Sequence, residues 1–390
     1  MRILKTNTLA NLALAMAVLG APLSAWAHAD AASISKDALV SEPQTVSCEL
    51  ENGDTSTCTK YVVKYLPDNL SIGPFCPKTT EEKGGVWHWD GDETGLYRID
   101  EAFLNMLSEQ GYTFFDEKGE VFITDVRTEQ PASDNTCLQA SLDTSVEMTV
   151  LLPRVPVKSE KVTKLGTVAK VGLALDGVPI FADAPSVLDT GHMPALDTCG
   201  GHIDPGGWYH WHATSTDINS VFKRDAVDAE CSLEQNASAK FAYAFDGFPI
   251  YGSIDYDGKI PVDLDTCNGH LGPTPDSAEP IYHYHASTTF PNLPTCLSGV
   301  VAKNNFSTNA AQGIGAEGGR GPRHGGPIHK GGTPPGFEQA AKKLGITANE
   351  LFKVVEKNGG RKLNISAAAK ELGISEAALK AALPQPPRSR

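Results

Sequence analysis

The stretch that decides the fold is YHWHA at residues 209–213, which returns as YHYHA at residues 282–286. Two further blocks accompany each copy: ALDGVPIF (174–181) with AFDGFPIY (244–251), and LDTCGGH (196–202) with LDTCNGH (264–270). The three blocks keep their order and are offset by 70, 68 and 73 residues, so the copies differ mainly in loop length. Two copies at this spacing predict a duplicated half-domain with pseudo-twofold symmetry, because solenoid arrays need more and shorter repeats.

Each copy carries three histidines in a fixed pattern, one after a glycine and two separated by a single aromatic residue. On a β-strand, residues i and i+2 project from the same face, about 6.6 Å apart. Two imidazoles so placed can bind one ion at about 2.0–2.1 Å each, and the flanking glycines let the backbone bend a third imidazole toward them. The predicted metal ligands are His202, His210, His212, His270, His283 and His285.

Three neutral imidazoles with an open coordination position suit Zn²⁺ or Cu²⁺, so the predicted cofactor is copper or zinc. Asp197, Asp204 and Asp265 are candidates to orient the ring N–H groups from outside the ligand set. The same pattern is compatible with histidines that only pack in the core, because duplication preserves a packing motif as well. The sequence leaves open whether the six histidines form one shared site or two.

Three functions fit this pattern. The first is a secreted protein that captures, buffers or delivers copper or zinc. The second is a secreted metal-dependent hydrolase or oxidase on the same site, with Asp204, Tyr209 or Tyr282 as general acid or base. The third is a non-catalytic scaffold or adhesion module, stapled by disulfides, with the histidines in its core. The sequence assigns no catalytic residue and does not decide whether the protein is an enzyme.

The amino terminus has the pattern of a signal peptide. Arg2 and Lys5 are followed by an apolar run at residues 9–19 and by the small-x-small sequence AWA at residues 25–27. This pattern predicts a secreted or periplasmic protein. No later apolar run approaches about 18 residues, so we expect no membrane insertion. The net charge of −14 disfavours nucleic acid as a partner and is compatible with a metal cation.

The eight cysteines lie between residues 48 and 296, and none occurs in a C-x-x-C pair. In an oxidising compartment four disulfides are therefore expected. The symmetry of the two copies favours Cys199 with Cys231 and Cys267 with Cys296. The remaining candidate pairs are Cys48 with Cys58 and Cys76 with Cys137.

A small duplication near the carboxyl terminus predicts helices, because AKKLGIT (341–347) recurs as AKELGIS (369–375). In each copy glycine ends one helix, and Thr347 or Ser375 caps the next. Export and acidity argue against DNA binding by this helical module, and a protein partner is the better prediction.

The predicted fold is mainly β with some α (α+β): a duplicated, disulfide-stabilised β-rich central domain and a small C-terminal α-helical module. The predicted segments are a signal peptide (1–27), a flexible leader (28–45), an N-terminal β-rich segment (46–150), the duplicated domain (151–302), a Gly/Pro-rich linker (303–336) and the helical accessory module (337–383).

The blocks at residues 209–212 and 282–285, with the Asp-Gly and Cys-Gly/Asn-Gly-His blocks before them, resemble the YHYH domain family of secreted or surface proteins. The resemblance extends from about Leu151 to Val300. Trp211 stands where the family motif has tyrosine, but it lies between the two histidines and leaves both in place. The resemblance implies the domain type and an exported protein; it implies no particular chemistry.

Overall fold

The structure is a computed structural model that describes residues 34–65, 71–228, 231–233, 236–316, 337–358 and 363–383. The predicted signal peptide (1–27), the first part of the predicted leader and residues 317–336 of the predicted linker lie outside the described residues.

The described strands and helices are numbered in chain order. The strands are β1 Gln44–Glu49, β2 Thr55–Val63, β3 Val86–Trp89, β4 Gly95–Arg98, β5 Ile123–Asp125, β6 Cys137–Gln139, β7 Met148–Pro153, β8 Lys158–Lys164, β9 Lys170–Ala174, β10 Pro179–Phe181, β11 Met193–Pro194, β12 Gly201–Ile203, β13 Tyr209–Trp211, β14 Lys240–Ala244, β15 Pro249–Tyr251, β16 Gly269–Thr274, β17 Ser277–His285, β18 Cys296–Gly299 and β19 Phe306–Thr308. The helices are α1 Glu101–Glu109, α2 Val187–Thr190, α3 Ile218–Arg224, α4 Phe337–Leu344, α5 Ala348–Lys357, α6 Ile365–Leu372 and α7 Glu376–Ala382. The α+β fold class predicted from sequence is confirmed.

An eight-stranded sheet forms the centre of the protein, in the order β12-β13-β10-β9-β14-β15-β17-β16. Four strands come from each sequence copy, and the order on one side of the β9–β14 pair repeats on the other. The β9–β14 pair is antiparallel, with Leu173 opposite Tyr243. These two residues are 70 positions apart and equivalent in the two copies, so the local twofold axis passes through them. The predicted duplicated half-domain is therefore present in the sheet.

The two Asp-Gly blocks form the tight turns that start each half. Gly177 and Gly247 have φ values of 84° and 88°, a region that strongly favours glycine. Each turn closes a hairpin, β9–β10 in the first copy and β14–β15 in the second. Ala174 pairs with Val178, and Ala244 with Phe248, so each loop has three residues and ends on a glycine in the left-handed conformation, a common type of hairpin loop.

A four-stranded sheet, in the order β1-β2-β7-β19, packs on the same hydrophobic core. Ile34 and Ala38, within the predicted leader, are buried in that core. Strand β19, within the predicted linker, pairs with β7. Short apolar runs inside these polar segments account for the packing. The average composition of a segment does not reveal runs this short.

All four disulfides suggested by the sequence are present: Cys48–Cys58, Cys76–Cys137, Cys199–Cys231 and Cys267–Cys296. Two of them occupy equivalent places in the two copies. Each cross-link lowers the entropy of the unfolded chain, which stabilises a β-rich fold with many loops.

The C-terminal helices α4 to α7 have a hydrophobic cluster of their own. Gly373 ends α6 in the left-handed conformation, and the Ser375 hydroxyl accepts a hydrogen bond from the Ala378 N–H at the start of α7. Thr347 likewise accepts from the Glu350 N–H. Across the described residues, no helix combines the length and apolarity needed to cross a bilayer.

Candidate metal centre

The paired histidines of each copy lie on one face of the sheet, as predicted. His283 and His285 are on β17, and their ring centroids are 4.8 Å apart. His210 on β13 and His212 just after it have centroids 4.6 Å apart. The third histidine comes from the antiparallel neighbouring strand, where His202 lies opposite His210 and the second copy repeats the pairing.

The aromatic residue between each histidine pair points to the opposite face and is held by the Asp-Gly turn. The Trp211 indole N–H donates to Asp176 Oδ2 at 3.3 Å, and the Tyr284 hydroxyl donates to Asp246 Oδ2 at 2.5 Å. The turn aspartates therefore also fix the rotation of the histidine strand.

In the second copy the three Nε2 atoms converge. The Nε2 atom of His270 is 3.0 Å from that of His283 and 3.3 Å from that of His285. Ligand atoms bound at about 2.0–2.1 Å to one ion lie about 2.9 Å apart at right angles and about 3.4 Å apart in a tetrahedron. The spacing of the three nitrogens therefore matches a single bound transition metal ion.

A carboxylate completes this group, which we call the second-copy cluster: His270, His283, His285 and Asp255. The Asp255 oxygens lie 3.6 Å from His270 Nε2 and 3.9 Å from His285 Nε2. One candidate ligand atom from each of the four residues lies within 4.8 Å of all the others. The cluster offers three nitrogen donors and one oxygen donor, with the histidines buried and Asp255 at the edge.

Hydrogen bonds on the far side of each ring determine which nitrogen carries the proton. The Nδ1 atom of His285 is 2.7 Å from the Gly252 carbonyl, and that of His283 is 3.0 Å from the Ile281 carbonyl. A carbonyl oxygen can only accept, so both Nδ1 atoms carry hydrogen, and both neutral rings present a lone pair at Nε2.

In His270 a carboxylate, in place of a backbone carbonyl, fixes the same tautomer. Its Nδ1–H donates to Asp263 Oδ1 at 2.8 Å, and this hydrogen bond lowers the pKa of Asp263. Histidine ligands commonly donate their outer N–H to a carboxylate, which fixes the tautomer and makes the inner nitrogen more basic. In the first copy the Ala195 carbonyl stands in the equivalent place and accepts from His202 at 2.9 Å.

Protonation of these histidines, which would remove the repulsion between their facing lone pairs, is unfavourable in the buried cluster. Burial lowers the pKa of His283 to about 4, with the neighbouring His285 and His270 contributing in the same direction. Burial also lowers the pKa of His285. Near neutral pH these two rings therefore remain uncharged, and the electrostatics of the cluster favour a cation among the nitrogens.

The first-copy cluster, His202, His210 and His212, is looser. The Nε2 atoms of His210 and His212 are 2.9 Å apart. The ring centroid of His202, however, lies 5.6 Å from the centroid of His210 and 5.9 Å from that of His212. The His212 Nδ1–H donates to the Ala182 carbonyl at 2.7 Å. Among the described residues, only the second-copy cluster brings a carboxylate and three imidazoles together as a metal-ligating group.

The structure separates the six predicted ligands into these two clusters. Four strands lie between β13 and β17 in the central sheet. At about 4.8 Å per strand, the two histidine strands are roughly 24 Å apart along the sheet. The six histidines therefore do not surround one common point, and the two clusters are separate.

The suggested outer-sphere role of Asp197, Asp204 and Asp265 is wrong. Asp197 and Asp265 accept backbone N–H groups within their own turns, together with the hydroxyls of Tyr209 and Tyr282. Asp204 accepts from the backbone of residues 206 and 314.

These hydrogen bonds also place Tyr209 and Tyr282 on the face opposite the imidazoles, because side chains alternate along a strand. Burial raises the pKa of both hydroxyls. The two tyrosines are therefore unsuited to act as acid or base at the histidines.

Sequence reasoning missed Asp255 and Asp263. Both lie in the loop between β15 and β16, outside the three repeated blocks. A signal was present for Asp263, because it stands seven residues before His270, as Ala195 stands seven before His202. Comparison of the two copies at that offset would have singled out this carboxylate.

Residues 149–261 match the family model described as YHYH protein. The chain carries a YHYH domain. The match confirms the family resemblance over this range, although the resemblance drawn from sequence extended to about residue 300. The matched part of the YHYH domain includes the first-copy cluster and ends before His270. No curated protein and no solved structure matches the chain.

Proposed function

We propose that this YHYH-domain protein is a secreted or periplasmic metal-binding protein that holds copper or zinc at the second-copy cluster. His270, His283 and His285 supply the nitrogens, and Asp255 supplies an oxygen from the open side. The observation that carries the proposal is the convergence of three Nε2 lone pairs, at 3.0 Å and 3.3 Å from one another, around one point.

Histidines that serve only as packing residues would be arranged differently. A neutral imidazole pair in a core is stabilised when one ring donates its N–H to the other. Here the rings of His270, His283 and His285 use their N–H groups on Asp263 and on backbone carbonyls, so the inner nitrogens repel each other unless a cation lies between them. This supports a metal site over a scaffold with core histidines.

The donor set narrows the choice of metal. Imidazole nitrogen suits zinc and copper, whereas calcium and magnesium prefer oxygen ligands. All eight cysteines are in disulfides and supply no thiolate. Three imidazoles and one carboxylate are a common ligand set in which zinc is four-coordinate, and Cu²⁺ accepts the same donors.

The first-copy cluster is a second, weaker site in this proposal. It has three imidazoles, but its third ring is farther away and no carboxylate stands beside it. We expect its affinity for zinc to be lower by a factor of ten or more.

The compartment follows from the disulfides and the signal-like amino terminus. Four disulfides persist in oxidising compartments and are rare in the cytosol. The protein would therefore meet its metal after export, in the periplasm or outside the cell.

Elemental analysis and zinc titration of the untagged full chain test the proposal. We expect one tightly held equivalent of copper or zinc in the purified protein and a second, weaker equivalent on titration. His283→Gln should remove the tight site and spare the weak one, while His210→Gln, its counterpart in the first copy, should do the reverse. Purified protein that contains no metal and takes up none on titration would refute the assignment.

A further inference from the structure

A cavity of about 970 Å³ lies beside the first-copy cluster. All three histidines of that cluster line it. So do residues 130–135 and, between β10 and β12, Ala184, Pro185, Thr190, His192 and Pro194. This volume is at the upper end of the range for pockets that enclose small organic molecules. The size and position of the cavity indicate a ligand site.

The walls of the cavity select for an uncharged ligand. They are mostly apolar, with Val126, Leu138, Ile314 and several prolines contributing. Asp134 and Asp204 are the acidic lining residues, and the described residues that line the cavity include neither lysine nor arginine. An anion would find no counter-charge there, and desolvating it would be costly.

One wall offers a hydrogen-bond acceptor. The Nδ1–H of His202 donates to the Ala195 carbonyl, so this ring keeps an Nε2 lone pair, whereas the Nε2 atom of His212 already lies 2.9 Å from that of His210. The His202 ring is almost fully buried, at 7 % exposed. A hydroxyl group entering from the cavity can donate to the His202 Nε2 atom, which replaces the hydrogen bonds to water that it loses.

Asp204 adds a second polar group to the lining. The residue is 2 % exposed, and its side chain accepts the N–H groups of Gly206 and Ile314.

We propose that this cavity binds an uncharged, mostly apolar alcohol or phenol, whose hydroxyl donates to the imidazole of His202. The inference goes beyond metal binding and does not need it, because it rests on the first-copy rings and the cavity walls. Loss of metal at the second-copy cluster would leave this site intact.

The test measures binding of 2-naphthol to the full chain by calorimetry, after dialysis against a chelator so that no metal occupies the same lone pairs. We expect a dissociation constant in the micromolar range. The same ring system without a donor, 2-methoxynaphthalene, and with a charge, 2-naphthoate, should each bind at least about tenfold more weakly.

Matched substitutions locate the site. Ala184→Trp places a large side chain in the cavity wall and should weaken 2-naphthol binding at least about tenfold, whereas Ala278→Trp, on an exposed part of β17, should not. Ala132→Trp, at an exposed point of the wall, serves the same purpose should Ala184→Trp fail to fold by circular dichroism.

Three results would overturn the inference. These are no binding of 2-naphthol up to about 1 mM, equal binding of 2-naphthoate, or wild-type affinity in folded cavity variants. Zinc titration of the second-copy cluster in the same samples keeps the two proposals apart, since its failure leaves the 2-naphthol result unaffected.

Discussion

Replacing His283 by glutamine separates a metal site from a packing role, because the two predict opposite effects in metal-free protein. His283 presents an Nε2 lone pair to the lone pair of His270 at 3.0 Å. Glutamine has similar reach, and its amide N–H can donate to His270 Nε2. In metal-free protein we therefore expect His283→Gln to unfold within about 2 °C of the wild type or above it, since a repulsive contact becomes a hydrogen bond.

When zinc is bound, we expect the wild type to be more stable than His283→Gln. Zinc at a free concentration 100 times its dissociation constant stabilises the folded state by about 2.7 kcal/mol. The body formed by residues 34–316 has about 270 described residues. At about 2.1 cal/mol/K per residue, its unfolding entropy is near 0.6 kcal/mol/K, so zinc should raise the wild-type Tm by about 5 °C. His283→Gln should lose nearly all of this increase.

Differential scanning calorimetry of untagged protein, with chelator and with zinc, measures both effects. His88→Gln is the matched control, because His88 lies outside both clusters and stacks on Phe290. Retention of the 5 °C increase in His283→Gln would show that the ligand set is wrong. A metal-free His283→Gln protein that unfolds many degrees below the wild type would instead favour the scaffold with core histidines.

Three further outcomes follow from the same geometry. In metal-free protein, His283 has a folded-state pKa of about 4 against about 6.5 when unfolded, so preferential protonation of the unfolded chain lowers the free energy of unfolding by about 3 kcal/mol as the pH falls from 6.5 toward 4, and this loss is absent above pH 6.5. Urea denaturation should show His283→Gln losing about that much less than the wild type over this interval, and parallel losses would contradict it. Asp263→Asn should weaken zinc binding about 10- to 100-fold by titration calorimetry, because it removes the charge that orients His270, whereas Asp257→Asn, whose carboxylate pairs with Lys259, should have no effect; equal affinities would exclude the outer-sphere role. Gly269→Ala should cost about 1–3 kcal/mol in chemical denaturation, since its Cβ would lie 2.3 Å from the Tyr282 hydroxyl oxygen, and an unchanged midpoint would refute this.

Much of the architecture could be predicted because the same sequence blocks occur twice. The repeated blocks predicted the two halves of the sheet and two of the disulfides, each supported by its counterpart. The same-face placement of His283 and His285 followed from strand periodicity alone. A pattern that occurs twice rarely arises by chance, so a prediction that rests on it is strong.

The carboxylates beside the second-copy histidines could not be predicted in the same way. Asp255 and Asp263 lie in a loop whose length and composition differ from those of its counterpart, and the conformation of that loop decides which acids reach the histidines. The assignment of Asp197 and Asp265 failed for a related reason. An aspartate two residues before cysteine and four before glycine accepts their N–H groups in a local turn, and this local demand prevails over a longer reach to an imidazole.

The antiparallel pair β9–β14 at the centre of the sheet indicates a route by which a protein with two such halves could arise. An isolated half would expose β9 as an unpaired edge strand, ready to hydrogen-bond with another chain. Two identical halves would join across the same axis as a symmetric homodimer, with equal ligand sets at its two ends. Fusion of such a dimer into one polypeptide frees each end to change independently. The acidic loop at one end and the large cavity at the other are the kind of divergence that this freedom permits.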